Sequence, residues 1–409
     1  MKILLLTPQL PYPPQQGTSL RNYHIVRGLA AQHDVWLLSF LADNQTADPQ
    51  AIAPLLALCR HVKTVPAPAR SPWRRLRQLA ATRLPDMAHR LHSPIFDIGL
   101  RRLLSAERFD VVQVEGIELA RSMATVRRAS PNSRLLFDNH NVETALQQRA
   151  FETDRAQPHR WPAAAYSWVQ ARRLRKFEGW ACATADWVTV VSEVDAVRLR
   201  DLFPRLATPL SVIPNCIDVA AYQAAAQSVT LPLRHDIVFS GKMDYRPNVD
   251  AVLWFADAVW PGIVRQRPQT TWAIVGQKPH PRLERLRALP GVTLTGWVDE
   301  VAPYLAGAQV YVMPFRVGSG TRFKLIEAMA TGLGVVSTAL GAEGFPVQHG
   351  RELLLADSAA EMETAVLRLL ADPNERARLG QAAQQFALQY DWRQIMPRFD
   401  AIYRRLRAA

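Results

Sequence analysis

The sequence predicts an α/β fold with two doubly wound, parallel-sheet domains in series, facing a central cleft. Three observations carry this. Short apolar runs of strand length alternate with stretches of helical composition along nearly the whole chain. Strands that are apolar on both faces belong inside a parallel sheet covered by helices. The alternation runs once through the first half and again, more cleanly, through the second, where three strands end at once in glycine. Glycine there lets a ligand approach the backbone at the carboxyl edge of the sheet.

A chain of 409 residues is long enough for two or three domains, each with its own core. No apolar stretch reaches the length of about 18 residues that a membrane-crossing helix needs. The N-terminus, MKILLLTPQLPYPP, is cut early by Pro8 and reads as a first strand, not a signal peptide. Cys59, Cys182 and Cys216 lie far apart with no CxxC spacing, which fits a reducing cytoplasm and neither a disulfide framework nor a zinc site. The net charge of +13 admits a nucleic acid, an anionic membrane face or an anionic substrate as partner. No interleaved aromatic and basic pattern, zinc finger or helix-turn-helix signature supports nucleic acid.

In the first half, ILLLT (Ile3–Thr7) reads as a strand, followed by a proline-rich loop and a helix from about Leu20 to Ala31. The loop is long for such a connection, and loops at strand carboxyl ends are where α/β proteins keep their sites. Gly17 and Thr18 sit just before that helix, which suits a phosphate, with Arg21 one turn inside. DVWLLSF (Asp34–Phe40) and HVKTVPA (His61–Ala67) are the next strands. In SPWRRLRQLAATRLP, Arg74, Arg75, Arg77 and Arg83 interleave with Trp73, Leu76 and Leu79 at roughly helical spacing. That pattern is either a membrane-surface helix or a solvated helix packed on its own domain. DVVQVEG (Asp110–Gly116) and RLLFDNH (Arg134–His140) are two more buried strands. His140 stands at a strand end among Asp138, Asn139, Asn141 and Glu143, the best histidine candidate for chemistry. A long helix over roughly Pro162–Ala185, the strand WVTVVS (Trp187–Ser192), a helix to about Phe203 and the strand SVIPNCID (Ser211–Asp218) complete this half. The linker falls within residues 205–234.

In the second half, HDIVFSG, TWAIVG, VTLTG, VYVMP, GVVST and ELLLAD read as strands, and residues 358–407 as helical with a break near Asp391 and Trp392. The densest stretch is VGSGTRFKLIEAMATG (Val317–Gly332). After an apolar strand, Gly318 and Gly320 allow a tight turn with exposed amides, and a helix starts at about Arg322. The first amides of a helix lack intrahelical partners and the macrodipole is positive there, so an anion fits. Arg322 and Lys324 add charge, and Glu327 is an acceptor suited to a sugar diol. The same glycine spacing also occurs in ordinary strand-to-helix turns.

Together these segments resemble a retaining glycosyltransferase of the large GT-B class, the family 4 type. The resemblance rests on VIPNCID, FSGKMDYRPN, LTGWVDEVAPYLAGAQVYVMP and, above all, VGSGTRFKLIEAMATGLGVVST, and is most specific from His235 to Gly344. GSGTRFKLIEAMA also resembles the branch associated with exopolysaccharide assembly. The resemblance implies a GT-B architecture of two Rossmann-like domains. An acceptor-binding domain is expected at residues 1–208 and a nucleotide-sugar-binding domain at 209–387, with a C-terminal helix, 388–409, packing back on the first. It implies a UDP- or GDP-sugar donor, a glycan or lipid-linked acceptor, retention of configuration, no metal and no other cofactor. It also implies a cytoplasmic protein, peripheral on the inner face of the plasma membrane.

Residue by residue, Glu327 falls on the second glutamate of the family's E-x7-E motif, which holds the ribose; the first falls on Ser319, so a carboxylate near the donor sugar is missing. The amides of Gly318, Ser319, Gly320 and Thr321 are expected to face the donor, with Val298 of GWVDEV beside the nucleotide. Lys242 matches the basic residue after the strand-end glycine. The second basic position carries Pro247 beside Arg246, leaving Arg322 or Lys324 as the substitute. Gly17 and Thr18 match the N-terminal glycine pair, and His140 the strand-end histidine that contacts donor sugar or acceptor. The catalytic group expected is His140, Lys242 and Arg322. The rival classes are a non-catalytic nucleotide-sugar-binding module, which Ser319 favours, and a GT-B nucleotide-sugar epimerase. A dinucleotide dehydrogenase is disfavoured by the lack of GxGxxG after either first strand.

Overall fold

The computed structural model describes residues 1–14, 17–228, 233–318 and 320–408. The chain divides into two compact units, Met1–Asn215 with Ile395–Ala409, and Cys216–Gln394.

The first unit is built on strands β1 (Lys2–Thr7), β2 (Asp34–Leu41), β3 (His61–Pro66), β4 (Val111–Glu115), β5 (Arg134–Asn139), β6 (Trp187–Val190) and β7 (Leu210–Val212). Their order is β3-β2-β1-β4-β5-β6-β7 and every pairing is parallel. Ile3 to Leu6 are fully buried because helices cover both faces, which is why β1 reads as an unbroken apolar run and not as an alternation. The chain builds outward from β1 to β3, then returns to lay β4 on the other side of β1. The connections leaving β1 and β4 therefore diverge, and the crevice at the carboxyl edge falls between them.

The second unit repeats the plan with β8 (His235–Ser240), β9 (Trp272–Val275), β10 (Val292–Gly296), β11 (Ala308–Met313), β12 (Gly334–Ser337) and β13 (Leu354–Leu355). The order is β10-β9-β8-β11-β12-β13, again all parallel. The reversal lies between β8 and β11, so the turns after Ser240 and Met313 flank its crevice. Trp272 on β9 is fully buried against Phe255 and Trp260 and anchors this core.

Several boundaries differ from the sequence reading. β7 lies beyond residue 208 yet pairs with β6, so the first sheet continues and its unit ends at Asn215. The helix Trp392–Ala408 joins the first unit from Ile395, not 388, burying Met396, Phe399 and Tyr403 there. The first helix runs Gly17–Ala30, three residues earlier than the apolar pattern indicated, so Gly17 and Thr18 form its first turn. The helix Pro72–Ala81 forms as expected, capped by Ser71, whose side chain accepts from the Arg74 amide. None of its side chains is fully buried: Trp73 is 79% and Leu76 57% exposed, while Leu79 is half-buried against its own unit.

Candidate functional site in each unit

In the second unit, the turn after β11 carries Gly318 at φ +103° and Gly320 at φ +81°. Both lie in the left-handed region that only glycine enters without strain. The helix Phe323–Ala330 follows with Arg322 as its cap residue. The Arg322 side chain makes no capping hydrogen bond and the Leu325 amide donates to the Arg322 carbonyl at 3.0 Å, so among the described residues the amides of Phe323 and Lys324 are the ones placed for an anion. Ser319 lies outside the described residues.

Lys324 reaches from this helix under the turn. Its Nζ donates to Asn248 Oδ1 at 2.9 Å and lies over the rings of Phe239 and Phe315. Burial pushes its pKa down to about 7, with Glu327 opposing and Arg322 reinforcing the shift. Asn248 in turn donates to the Lys242 carbonyl at 2.8 Å, so Lys324 is tied to the loop after β8. One turn on, Glu327 Oε1 accepts from the Tyr222 hydroxyl at 2.9 Å. Burial raises the Glu327 pKa, against the pull of the Tyr222 hydrogen bond and Lys324.

The other expected residues divide. Lys242 is exposed, its Nζ 3.6 Å from Asp244 Oδ1. Arg322 lies over the Phe315 ring and donates to the carbonyls of Leu340 at 2.5 Å and Gly320 at 3.3 Å, so it braces the turn. Thr321 is half-buried between them. Val298 is half-buried in the loop after β10, with β9 separating that strand from β8.

In the first unit, the carboxyl edge carries a buried charge cluster. Arg21 grips Asp138 bidentately, Nε to Oδ2 at 2.8 Å and Nη2 to Oδ1 at 2.9 Å. Its Nη1 donates to Asn215 Oδ1 at 3.1 Å. Thr189 Oγ1 donates to Asp138 Oδ1 at 2.5 Å. His140 Nε2 lies 2.8 Å from Glu115 Oε2 and 3.4 Å from Asp138 Oδ2. Gln113 donates to Glu115, and Tyr403 of the C-terminal helix donates to Gln113. Gly17 is exposed and Thr18 half-buried at the start of the Arg21 helix.

The electrostatics follow from this packing. Burial would lower the His140 pKa, but hydrogen bonds to Asp138 and Glu115 lift it to about 9. Burial and the neighbouring Asp138 raise Glu115 to about 7, although His140 pulls it down. Asp138 stays well below the carboxylate range; burial opposes this, but Arg21 and His140 prevail. At neutral pH His140 is thus an imidazolium, a donor and not a base. Among the described residues nothing hydrogen-bonds its Nδ1, and Gly116, at φ +82°, leaves the space beside that nitrogen open.

Glu115, Asp138 and His140 present ligand atoms within 4.8 Å of one another, the one such group among the described residues. Both Asp138 oxygens already accept from Arg21, and the His140 nitrogen between the carboxylates is protonated. A divalent cation there has to displace a guanidinium and a proton, so the donor set fits a cation poorly.

Sequence reasoning did not single out Glu115, Gln113, Asn248, Tyr222 or Tyr403. A signal existed for Gln113 and Glu115, polar residues inside an otherwise apolar strand ahead of a glycine. Tyr222 and Tyr403 lie in ordinary helical sequence and become visible only through their partners.

Residues 16–221 match the family described as Glycosyltransferase Family 4, and residues 234–372 that described as Glycosyl transferases group 1. The phosphatidyl-myo-inositol mannosyltransferase of Mycolicibacterium smegmatis is 30% identical over 198 residues, 47% of this chain and 50% of that protein. The chain spans between 34% and 59% of the lengths of the curated relatives it matches. Among solved structures, sucrose-phosphate synthase from Thermosynechococcus elongatus superposes with a TM-score of 0.75 at 20% identity, covering 100% of both chains. Anabaena HepE in complex with UDP does so at 0.66 and 15% identity, covering 98% of this chain and 99% of that one. Because a single family match spans just over half of the sequence, and the second unit matches the partner domain, the chain belongs to glycosyltransferase family 4.

Proposed function

We propose that the chain is a retaining, metal-independent hexosyltransferase. It takes a UDP- or GDP-sugar and glycosylates a glycan or lipid-linked acceptor at the inner membrane face, in exopolysaccharide synthesis. The observation that carries the reading is the β11 turn: two left-handed glycines, a helix end whose Arg322 side chain makes no capping bond, and Lys324 and Glu327 in its first turns. That arrangement suits a diphosphate with its ribose. The UDP held by the HepE structure and the lipid acceptor in the mannosyltransferase's name support the donor and acceptor classes. The exopolysaccharide assignment rests on the GSGTRFKLIEAMA segment.

In such a transfer the leaving diphosphate gains charge as the glycosidic bond breaks. Fixed donors aimed at that charge are the largest catalytic contribution available. The turn amides, the helix end, Lys324 and the exposed Lys242 supply them, while Arg322 holds the turn in shape. The His140 imidazolium, with Nδ1–H open, serves to orient a sugar or acceptor hydroxyl. A thermal-shift panel of nucleotide sugars tests the donor. A ligand at about 100 times its Kd stabilises by roughly 2.7 kcal/mol. No shift with any UDP- or GDP-sugar overturns the reading. The anomeric configuration of the product, read by NMR, tests retention.

A further inference from the structure

A cavity of about 450 Å³ opens in the first unit, among the helices Pro94–Ala106, Ser122–Ala129 and Trp161–Thr184. It lies within the range of about 300–1,000 Å³ typical of small-molecule sites. Its walls are of two kinds. Arg83, Arg121, Arg128, Arg173 and Lys176 bring five fixed cations, against the single carboxylate of Asp97. Phe177, Trp180 and Leu84 supply the apolar surface.

The cations are not spent on the fold to equal degrees. Arg173 is structural, donating to the Leu79 carbonyl at 2.8 Å and the Leu84 carbonyl at 3.4 Å. Arg128 donates to the Ala124 carbonyl at 3.1 Å. Among the described residues, the side chains of Arg83, Arg121 and Lys176 make no hydrogen bond or ion pair. Arg121 is half-buried with no hydrogen bond or close ion pair among the described residues; burial lowers its pKa, and the charge of Asp97 across the cavity offsets this in part. A desolvated guanidinium without a partner is costly, and an anion in the cavity removes that cost.

The surroundings specify the anion. Arg173 ties the cavity wall to the end of the helix Pro72–Ala81, whose Trp73 and Leu76 are exposed. Arg75 of that helix donates to the Tyr166 hydroxyl, on the helix that carries Trp168 and Trp180, 47% and 39% exposed. A basic cavity whose apolar wall includes the half-exposed Trp180, tied through Arg173 to a helix with exposed Trp73, matches a phosphate attached to a greasy body.

We propose that this cavity binds the phosphate head of an anionic lipid. Arg121 and Lys176 take the phosphate oxygens, and Phe177 and Trp180 bear the first carbons of the glyceride. This rests on the reading that the Pro72–Ala81 helix lies on a membrane, but a soluble lipid tests the cavity by itself.

The full-length chain is titrated calorimetrically with dioctanoyl phosphatidic acid, inorganic phosphate and dioctanoylglycerol, without nucleotide sugar. The expected result is one phosphatidic acid per chain, with phosphate at least about tenfold weaker and no diglyceride binding. The double variant Arg121→Gln, Lys176→Gln is expected to bind phosphatidic acid about 10- to 150-fold more weakly, with a parent-like circular dichroism spectrum. Should that variant fail to fold, Trp180→Ser decides: weaker lipid binding with phosphate unchanged supports the site. Phosphate as tight as phosphatidic acid marks a small-anion site and overturns the lipid assignment. No phosphatidic acid binding, or variants that bind like the parent, overturns the proposal. Loss of vesicle binding with soluble-lipid binding retained refutes only the membrane reading of the helix.

Discussion

His140 Nε2 sits 2.8 Å from Glu115 Oε2, and the pair shares its pocket with Asp138, whose carboxylate is gripped by Arg21. A histidine between two carboxylates at a strand end is expected to stay charged well above its ordinary pKa of 6.5, here to about 9. The folded-state value is raised, so His140 contributes stability that is fully present below 6.5 and lost as pH rises through about 9. Denaturant unfolding on either side of that window should show the loss, and His140→Gln should flatten it. Because Lys324 acts in the opposite sense over part of this window, the comparison is between parent and variant: a pH dependence unchanged in His140→Gln refutes the imidazolium. In turnover, removing a charged donor to a sugar hydroxyl should lower kcat/KM by about 10- to 150-fold.

Lys324 makes the opposite prediction. Its pKa near 7, below an ordinary 10.5, means the unfolded chain binds more protons between those values, so Lys324 makes stability rise with pH there. Donor binding runs the other way, because a diphosphate needs the ammonium. The donor kcat/KM should therefore fall as pH rises through about 7. Lys324→Met should lower the plateau and abolish this limb. A limb that persists in the variant assigns the titration elsewhere.

Metal independence is open to direct test. With Asp138 engaged by Arg21 and His140 protonated, the carboxylate cluster has no ready vacancy for a cation. Transfer activity should survive EDTA largely intact, since cationic side chains and the helix end serve the diphosphate. Activity lost to EDTA and restored by magnesium or manganese would falsify this.

The fold was largely legible because strands buried on both faces spell themselves as apolar runs, as Ile3–Leu6 and Val310–Met313 do. The β11 turn was legible for a similar local reason: Gly318 and Gly320 record backbone angles that other residues resist. Arg322 donates to the Gly320 and Leu340 carbonyls, and in sequence a cation beside a glycine turn reads the same whether it faces a ligand or braces carbonyls. Partnerships between distant segments were not legible. Gln113 with Tyr403 and Glu327 with Tyr222 join residues 290 and 105 positions apart, and neither tyrosine carries a local sign of its partner. The start of the first helix was missed because Gly17 and Thr18 look like loop residues, whereas burial of Ser19, Leu20 and Arg21 draws that turn into the helix.

The helix Pro72–Ala81 gives a prediction at the membrane. Trp73 and Leu76 are exposed on a helix with no fully buried side chain, and Arg74, Arg75 and Arg77 lie on the same helix with Arg83 just beyond its end. Each arginine near an anionic surface contributes about 1 kcal/mol, less at high salt. The chain should co-sediment with phosphatidylglycerol-containing vesicles and lose most of that binding when all four become glutamine. Absent binding in the parent, or unchanged binding in the variant, refutes the contact.

Tyr222 and Glu327 allow the sharpest separation of structural from functional roles. Tyr222 donates to Oε1 at 2.9 Å, while among the described residues no donor reaches Oε2. One oxygen is thus tied to the fold and the other is left for a ribose diol hung from a diphosphate at the helix end. The ribose does not change during transfer, so losing this contact should weaken ground state and transition state alike. Charged hydrogen bonds of roughly 1.5–3 kcal/mol then predict a donor KM about 10- to 150-fold higher in Glu327→Gln, with a smaller change in kcat. Tyr222→Phe removes only the inner partner. It leaves a buried carboxyl short of a donor, at a cost of about 1–3 kcal/mol in stability, with a smaller KM effect. The double variant should show coupling in stability, because the two residues touch, and little further loss in donor binding. If Glu327 is only an anchor for Tyr222, Glu327→Gln will lose stability while its donor KM stays at the parent value. Measuring both quantities on one preparation decides between the two.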